Sequence, residues 1–424
     1  MPENGTETEP GTVRTVLHLS QPAGSGVARV VTDLVRAQTA AGLRAVVACP
    51  PGGTLGRDAA AAGAEVLDWP ARRAPGPGLC RETARAARLI RHTAPDLVHT
   101  HSAKAGLAGR LAVRGRVPTV HQPHAWSFEA VGGATALLAR RWERLAARWT
   151  DRVLCVSEDE RRRGAAAGVR ARWAVVPNGV DTGRFRPADG PAGGARAAVR
   201  AALPGLGGLP PDAPLAVCVG RLCRQKGQDV LLRAWLEVAA RIPGARLVLV
   251  GDGPDRRALG AAAPEGVLFA GAAADPAPWY AAADAVVLPS RWEGMALVPL
   301  EAMACGRPVV VTDVAGAAES LPPGGAGHCL VPPEDPGALA GALAALLADP
   351  ELRDGLGRRA REHVRAAHDV RRTAARVMEL YDEVLAGRPA VPPGRRTAGE
   401  PPRPLPHSPS QPHPHPAPME RTRR

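Results

Sequence analysis

The sequence predicts an α/β protein built from two doubly wound domains, in which parallel strands alternate with helices. Short apolar, β-branched runs such as residues 284–288 and 308–312 have the composition of strands that are buried on both faces. A helix-forming segment at residues 295–305 separates these two runs and ends at Gly306. The same alternation recurs along both halves of the chain, and it predicts one parallel sheet in each half.

The elements of both halves can be placed from this pattern. In the first half, strands are expected at residues 13–19, 45–49, 65–69, 97–100, 119–121 and 152–156, and helices near 27–41, 79–92, 104–114, 134–149 and 157–167. In the second half, strands are expected at 215–219, 246–250, 267–271, 284–288 and 308–312, and helices at 229–241, 295–305, 336–348, 351–366 and 370–386. A Gly/Pro/Ala-rich segment that ends near Pro214 is expected to be the interdomain hinge.

The composition of the 424 residues is that of a globular protein, with 45% hydrophobic and 22% charged residues. The chain has no run of about 18 apolar residues, and its first residues lack the basic and apolar regions of a signal peptide, so we expect a cytoplasmic protein. The seven cysteines have no metal-ligand spacing, which predicts reduced, mostly buried thiols. The formal charge of +13 is spread along the chain and only 3% of residues are aromatic, which argues against a nucleic-acid-binding protein.

Arginine has replaced lysine almost everywhere. Of the 54 basic residues only Lys104 and Lys226 are lysines, so 54 − 2 leaves 52 arginines. The two lysines therefore mark positions where a compact ammonium group is favoured over a guanidinium.

A short glycine loop follows the first predicted strand. Gly24 and Gly26 precede the first helix, and backbone N–H groups in such a loop can approach a phosphate or an acceptor hydroxyl. An ordinary tight turn explains the two glycines equally well. Arg29 stands where the third glycine of a dinucleotide-binding fingerprint would be, which argues against an NAD-binding domain.

Polar side chains cluster at the ends of two neighbouring predicted strands. They are His99, His101, Ser102 and Lys104 after one strand and His121, His124 and Trp126 after the next. Histidines in such loops are often hydrogen-bonded structural groups, but parallel sheets bind ligands at this edge. Both a structural and a catalytic role remain open on this evidence.

Two pairs of charged residues lie in the second half. Arg221 and Lys226 flank a tight loop that enters a helix, so both cations and the helix N-terminus can converge on one dianion. Glu293 and Glu301 lie eight residues apart, the first in a loop and the second in the following helix. Ordinary salt bridges, or a solvated helix face for the glutamates, explain either pair taken alone.

The predicted helix at residues 134–149 is amphipathic and basic. Leu138, Trp142, Leu145 and Trp149 lie on one side, and four arginines cover much of the rest. Such a helix can lie on an anionic membrane surface, or it can pack its Leu/Trp stripe on the sheet as an ordinary surface helix.

Several motifs together resemble family 4 of the retaining glycosyltransferases. The family wording E-G-F-G-L-x-x-x-E-A-M-A-x-G-x-P-V-V is similar to residues 293–310, where Met295 and Ala296 replace the usual Phe and Gly. V-G-R-L-x-x-x-K-G is similar to residues 219–227, and V-I-P-N-G-V-D-x-x-x-F-x-P to residues 175–187.

A narrower resemblance concerns family members that extend polyprenyl-linked sugars in capsule or exopolysaccharide assembly. Their H-S-x-K-A-G-x-x-G-R-L-A is matched at residues 101–112, and their P-H-G-F-x-F at residues 123–128, where Ala125 and Trp126 replace Gly and Phe. Relatives that glycosylate inositol phosphate carry a G-G-M-N-V-Y loop that differs from residues 24–30, which makes that activity the less favoured alternative.

The resemblance implies a GT-B fold, with two Rossmann-like domains facing each other across a cleft. The implied organisation is an acceptor-binding domain at residues 12–187, a nucleotide-sugar-binding domain at 188–369, and a helix at 370–387 that crosses back to the first domain. Residues 1–11 and the Pro-rich residues 388–424 are expected to be disordered tails.

The resemblance also assigns site residues. It implies that Glu293 binds hydroxyls of the transferred sugar, Glu301 binds the ribose, and His124 lies beside the reacting sugar. With Arg221 and Lys226 on the donor diphosphate, the predicted catalytic residues are His124, Glu293, Arg221 and Lys226. The predicted donor site comprises Gly24, Gly26, Arg221, Lys226, Gly251, Gly271, Glu293, Gly294, Met295, Ala296, Leu297 and Glu301, and the predicted acceptor site His101, Lys104 and Trp126.

The predicted activity is retaining transfer of a hexose-type sugar from a UDP- or GDP-linked donor to an acceptor hydroxyl, in cell-surface polysaccharide or glycolipid assembly. No D-x-D motif stands in the expected position, so no metal or other cofactor is expected, and contact with the inner membrane surface is possible through residues 134–149. Lys104 is expected to meet an anionic part of the acceptor. The alternatives are glycosylation of a small molecule such as a secondary metabolite or inositol phosphate, a sugar-nucleotide epimerase or phosphorylase of the same fold, and a non-catalytic scaffold subunit.

Overall fold

Two parallel sheets carry the fold in the computed structural model, which describes residues 14–74, 76–188 and 192–387. We refer to the first sheet and its helices as the first domain and to the second sheet and its helices as the second domain. The predicted tails, residues 1–11 and 388–424, lie outside the described residues.

The first domain contains a seven-stranded sheet with the order β3-β2-β1-β4-β5-β6-β7. Its strands are β1 (Thr15–Ser20), β2 (Arg44–Cys49), β3 (Glu65–Asp68), β4 (Leu97–His101), β5 (Thr119–Gln122), β6 (Arg152–Cys155) and β7 (Trp173–Val175). Its helices are α1 (Ser25–Ala40), α2 (Thr54–Ala61), α3 (Leu79–Thr93), α4 (Ser102–Val113), α5 (Gly133–Ala146) and α6 (Glu158–Ala166).

The second domain contains a six-stranded sheet with the order β10-β9-β8-β11-β12-β13. Its strands are β8 (Leu215–Val219), β9 (Arg246–Val250), β10 (Val267–Gly271), β11 (Ala285–Leu288), β12 (Val309–Thr312) and β13 (Leu330–Val331). The helices from this part of the chain are α7 (Ala192–Ala202), α8 (Gln228–Arg241), α9 (Arg256–Ala262), α10 (Ala277–Ala282), α11 (Leu297–Ala304), α12 (Ala317–Ser320), α13 (Ala326–Cys329), α14 (Pro336–Ala348), α15 (Pro350–Ala367) and α16 (Val370–Ala386).

The predicted α/β fold is confirmed, and its strands are buried on both faces as their apolar runs indicate. All six residues of β1 and all four of β11 and β12 are buried. Neighbouring strands pair in parallel, for example β1 with β4 and β8 with β11. Removal of these Val, Leu and Ala side chains from water is the main stabilising term for sheets of this kind.

Each sheet reverses its strand order at one point, between β1 and β4 in the first domain and between β8 and β11 in the second. Loops at the carboxyl ends of the two strands at such a point diverge and leave a crevice where ligands bind. In this chain the four loops concerned are those that carry the predicted glycine, histidine, arginine–lysine and glutamate motifs.

Helix α16 packs against the first domain although it follows the second in sequence. Tyr381 on α16 is 2% exposed, and its hydroxyl lies 2.6 Å from Nδ1 of His99 on β4. Leu34 on α1 and Leu380 on α16 belong to one apolar cluster that continues into the second sheet. The last helix therefore connects the two cores.

The segment predicted as the interdomain hinge contains the helix α7. Arg196 and Arg200 lie four residues apart on one face of this helix, and their guanidinium groups lie 3.0 and 2.8 Å from the buried carboxylate of Asp284. The buried ion pairs fix α7 on the second domain. Propensity alone does not indicate this, because the partner is 84 residues away from Arg200 in sequence.

Helix α5 leaves much of its apolar side in water. Leu137 is 59% exposed, Leu138 68% and Leu145 43%, whereas Trp142 and Trp149 are partly covered and contact each other. Packing of the whole Leu/Trp stripe on the sheet, one of the two interpretations of its sequence, is therefore wrong for the leucines. Across the described residues, no helix combines the length and the hydropathy needed to cross a bilayer.

Candidate active site

The glycine loop after β1 reaches the start of α11 in the second domain. Ser25 adopts φ 68° between Gly24 and Gly26. A Cβ atom placed on Gly26 would lie 3.8 Å from Cδ1 of Leu297, the first residue of α11. The structure thus brings the N-termini of α1 and α11, both predicted donor-binding elements, together across the cleft.

Lys226 and Glu293 meet directly. The Lys226 Nζ lies 2.5 Å from Oε1 of Glu293, and the Ser290 hydroxyl donates to the same oxygen at 2.7 Å. Glu293 is 9% exposed, so this carboxylate is stabilised by one cation and one hydroxyl rather than by water. The second carboxylate oxygen is left for other hydrogen bonds.

Arg221 makes no ion pair with any residue in the described parts of the chain, whereas its carbonyl accepts a hydrogen bond from Gln228 Nε2 at 3.0 Å. Arg73, from the connection between β3 and α3, lies near it. Burial lowers the pKa of Arg73, and the like charge of Arg221 lowers it further. Cations from both domains, Arg73 and Arg221, therefore lie near each other.

The backbone of the loop before α11 is held by the first domain. The Ser157 hydroxyl donates to the Gly294 carbonyl and the Asn178 amide donates to the Met295 carbonyl, both at 2.8 Å. A Cβ atom on Gly294 would lie 2.9 Å from Glu160 Oε1, so only glycine fits there without a shift. Ala296 is the residue that caps α11.

Glu301 is buried in α11 and already has two partners. The Tyr280 hydroxyl donates to Oε2 at 2.7 Å, and Arg29 Nε lies 3.5 Å from Oε1. Burial raises the pKa of Glu301, and the charge of Arg29 opposes that rise. Arg29 comes from α1, so this predicted ribose ligand is another contact between the two domains.

Gly251 and Gly271 lie at the ends of β9 and β10. Gly251 has φ 149°, and a Cβ atom there would come within 1.9 Å of the Gly220 carbonyl oxygen. Its N–H donates to the Gly271 carbonyl at 2.7 Å. These glycines allow close packing of the backbone around the Gly220 turn, which leads to Arg221.

The loop that carries His124 is strained. His124 has φ 55° and Ala125 φ 102°, both in the region that disfavours residues with a Cβ atom. The Ala125 N–H donates to Glu160 Oε1 at 2.7 Å, and the Val156 N–H donates to Oε2 at 2.8 Å. Glu160 therefore holds the strained loop, and burial raises its pKa to about 7.

Trp126 does not lie where an acceptor could reach it, which corrects its predicted role. Its side chain is 1% exposed, stacks on Phe128 and donates to the Glu160 carbonyl at 2.7 Å. The indole fills the core beneath the loop because a large apolar ring is favoured in that buried position. Trp126 therefore supports His124 rather than an acceptor.

Lys104 is also buried, with a side chain that is 2% exposed. Its Nζ lies 2.5 Å from Glu82 Oε2 and donates to the Ala74 carbonyl at 3.1 Å. The other oxygen of Glu82 accepts the Arg72 N–H at 3.0 Å. The structure thus pairs this ammonium within the protein, where it fixes the loop next to Arg73, and a direct contact with an acceptor anion is not observed.

His101 is fully buried and lies between two other histidines. Its Nδ1 is 3.1 Å from Nε2 of His124, and its Nε2 is 3.0 Å from Nδ1 of His18. It can affect an acceptor only through His124, which corrects its predicted direct contact. Donor nitrogens of His18, His99 and His101 lie within 4.8 Å of one another, so these are the residues that could hold a metal ion.

Sequence reasoning missed several of the residues that position this site. They are Arg29, Arg73, Ser157, Glu160, Asn178, Tyr280 and Ser290. Ser157 and Glu160 have the spacing of an S-x-x-E capping box, and the Ser157 hydroxyl does accept the Glu160 N–H. That signal was available. The contacts of Arg29, Arg73 and Asn178 depend on the relative position of the two domains, whereas Tyr280 and Ser290 contact glutamates of their own domain.

The pKa of Glu160 predicts a loss of stability at neutral pH. A folded-state pKa of about 7, above the ordinary 4.5, contributes stability that is complete below about pH 4.5 and is lost as the pH rises through 7. The loss is about 3 kcal/mol. Melting temperatures of the wild type and Glu160→Gln between pH 5 and 8 should diverge, with the wild type falling more; parallel curves would show that Glu160 titrates normally.

Ala125→Gly should stabilise the protein by about 1 kcal/mol, because glycine removes the strain at φ 102°. Denaturant unfolding measures the difference. The matched control is Ala130→Gly, five residues later, where φ is −82° and glycine should instead destabilise by about 0.5–1 kcal/mol. If both variants lost the same free energy of unfolding, the backbone at residue 125 would not be strained.

Comparison with known proteins matches both domains. The family described as Glycosyltransferase Family 4 matches residues 24–184, and Glycosyl transferases group 1 matches residues 213–349. D-inositol 3-phosphate glycosyltransferase 2 of Catenulispora acidiphila is 35% identical over 320 residues, which cover 68% of this chain and 71% of that protein. A second relative is the GDP-mannose-dependent alpha-(1-6)-phosphatidylinositol monomannoside mannosyltransferase of Mycolicibacterium smegmatis. It is 36% identical over 297 residues, which cover 66% of this chain and 72% of that protein.

Solved structures share the two-domain arrangement. Anabaena HepE in complex with UDP and glucose superposes with a TM-score of 0.73 at 22% identity, over 87% of this chain and all of that one. Sucrose-phosphate synthase from Thermosynechococcus elongatus also superposes with a TM-score of 0.73, at 25% identity, over 88% of this chain and all of that one. The predicted GT-B fold is confirmed, and the chain belongs to glycosyltransferase family 4.

Proposed function

We propose that the protein transfers a hexose-type sugar, with retention, from a UDP- or GDP-linked donor to a hydroxyl of a glycolipid or polysaccharide precursor at the cytoplasmic face of a membrane. The observation that carries the proposal is the contact of Lys226 with Glu293 in the loop that leads into α11, whose N-terminus lies opposite the glycine loop of α1. Arg221 belongs to the same turn as Lys226 and makes no ion pair among the described residues. A nucleotide-sugar donor presents a diphosphate next to a polyol. Its binding site therefore needs cations and helix N–H groups for the diphosphate and a carboxylate for the hydroxyls.

The cations support departure of the diphosphate without a metal ion. Lys226 is a compact donor beside the sugar-binding carboxylate, and Arg221, which has no ion pair among the described residues, is available to a phosphate. Arg73 adds a third positive charge from the first domain. Fixed charges and helix N–H groups aimed at a leaving group lower a barrier most effectively in a site that excludes water.

The hydrogen bonds of Glu160 support a same-face reaction, in which no carboxylate attacks the sugar. Both oxygens of Glu160 accept backbone N–H groups, so this residue holds the His124 loop and is not available as a nucleophile. We infer that the bond from the anomeric carbon to the donor phosphate breaks as the acceptor oxygen forms its bond on the same face. The acceptor proton passes to the departing diphosphate.

Helix α5 supports a lipid-associated acceptor. Leu137, Leu138 and Leu145 are exposed on a helix that also carries Arg140, Arg141 and Arg144. Apolar side chains beside arginines suit an interface with anionic lipid headgroups. This surface fits the narrower resemblance to members that extend lipid-linked sugars.

A second candidate acceptor is an inositol phosphate. The relatives named above act on D-inositol 3-phosphate and on a phosphatidylinositol monomannoside, and the first is 35% identical to this chain. The cationic pair of Arg73 and Arg221 is the feature that would favour a phosphorylated acceptor. Assays with free inositol 3-phosphate and with lipid-linked sugars distinguish the two candidates.

Lys226→Met should lower kcat for sugar transfer by about a hundredfold, because it removes a cation that stabilises the departing diphosphate. Arg224→Met is the matched control, since Arg224 lies in the same turn but packs over Trp292. EDTA should leave the wild-type rate unchanged. An unchanged kcat in Lys226→Met, or loss of the rate in EDTA, would contradict the proposed donor chemistry.

Leu137→Ser/Leu138→Ser should release the protein from vesicles of mixed anionic and neutral phospholipid in a sedimentation assay. The control is Leu236→Ser, which removes an equally exposed leucine, at 61%, from α8 of the second domain. High salt should also weaken binding because the arginine contribution is screened. If wild type and both variants remain in solution alike, α5 is not a membrane-binding helix.

A further inference from the structure

A row of buried histidines runs from α1 to the predicted catalytic loop. His18 on β1 and His99 on β4 are register partners, and His101 lies two residues further along β4 on the same face. Each of the three is 0% exposed. Gln38 on α1 lies at one end of the row and His124 at the other.

The hydrogen bonds of this row form one unbranched chain between Gln38 and His124. Gln38 Oε1 lies 2.8 Å from His18 Nε2, and His18 Nδ1 lies 3.0 Å from His101 Nε2. His101 Nδ1 lies 3.1 Å from His124 Nε2. The Nδ1 of His124 makes no hydrogen bond with the described residues and is left for a ligand.

The imidazoles of this row are neutral, because His18 and His101 are 0% exposed and the hydrogen-bond partners of the row are an amide and other imidazoles rather than carboxylates. A neutral imidazole has one N–H group and one lone pair. Each link therefore has a donor and an acceptor, and the direction of one link fixes the direction of all the others.

The amide of Gln38 sets that direction. Its oxygen faces His18, whereas its Nε2 lies 3.5 Å from the Tyr381 hydroxyl, which in turn lies 2.6 Å from His99 Nδ1. Because an amide oxygen only accepts, His18 must donate from Nε2 and accept at Nδ1. His101 then donates from Nε2 and accepts at Nδ1, and His124 donates from Nε2.

We propose that the chain Gln38–His18–His101 locks His124 in the Nε2–H tautomer, so that its free Nδ1 presents a lone pair to a hydroxyl of the bound sugar. In this role His124 orients a substrate hydroxyl as a hydrogen-bond acceptor and cannot serve as a proton donor at Nδ1. Gln38, His18 and His101 are positioning residues. The inference about the sugar rests on the proposed function, whereas the tautomer is a property of the protein alone.

The tautomer can be measured without substrate. Nitrogen-15 chemical shifts and long-range proton–nitrogen couplings of histidine-labelled protein, assigned with His124→Asn, distinguish a protonated from an unprotonated ring nitrogen. The expected result is a protonated Nε2 and an unprotonated Nδ1 on His124. The opposite tautomer, or an equal mixture, would overturn the proposal whether or not the protein transfers sugar.

Steady-state kinetics test whether the tautomer of His124 affects sugar transfer. Gln38→Leu removes the terminal acceptor and should lower kcat about tenfold with little change in the donor KM, as expected for loss of one oriented hydrogen bond. Gln38→Glu keeps an acceptor oxygen and should restore most of the rate. Tyr381→Phe removes the hydroxyl that faces the Gln38 amide nitrogen but keeps the Gln38 oxygen beside His18, so it should lower kcat less than Gln38→Leu does.

Two further results would contradict the proposed chain of hydrogen bonds. One is an unchanged His124 tautomer together with an unchanged kcat in Gln38→Leu. The other is one zinc ion per purified chain that is lost in His18→Asn, because a metal ion bound to His18, His99 and His101 would occupy the lone pairs on which the chain depends. Absence of sugar transfer by the wild type would contradict the proposed function and leave the tautomer measurement to decide this inference.

Discussion

The site depends on the hydrogen bonds that fix the backbone before α11 to the first domain. The carbonyls of Gly294 and Met295 accept from Ser157 and Asn178, and Gly294 packs against Glu160 with no room for a side chain. These contacts place the α11 N-terminus opposite the glycine loop of α1. Together with α16 and the Arg29–Glu301 pair, they hold the cations and carboxylates of the two domains in one fixed geometry.

Several buried charged groups around this backbone have partners within the protein. Glu293 is paired with Lys226, Glu301 with Tyr280 and Arg29, and Lys104 with Glu82. A buried charge without a partner costs several kcal/mol, so these pairs are required for the fold as much as for the chemistry. Arg221 has no such partner among the described residues, and it lies where the diphosphate is proposed to bind.

Glu160 links the strained His124 loop to the buried core of the first domain. Its carboxylate holds Ala125 and Val156 through their N–H groups, and its carbonyl accepts from the buried Trp126. The strain at His124 and Ala125 is therefore balanced by a hydrogen-bonded and tightly packed support. A glycine at position 125 would adopt this φ angle without strain. With alanine there, the hydrogen bond to Glu160 stabilises the strained loop.

The sequence predicts the strands and helices well, because buried strands and capped helices are local patterns, as in β11 and in α14 at Pro336–Ala348. Family motifs predict donor-binding roles for Lys226, Glu293 and Glu301. The sequence does not predict that Lys104 is paired with Glu82, that His101 is buried next to His124, or that α7 is a helix fixed by Asp284. Those features depend on contacts between residues that are distant in sequence, which no local pattern encodes.

The most direct test of the account is the anomeric configuration of the product. NMR of the new glycosidic bond, recorded during reaction with an α-linked nucleotide hexose, gives that configuration from the one-bond carbon–proton coupling at the anomeric centre. The account predicts an α-linkage, because the departing phosphate and the acceptor oxygen share one face of the sugar. A β-linkage would require attack from the opposite face and would contradict the arrangement of His124, Lys226 and the α11 N-terminus described above.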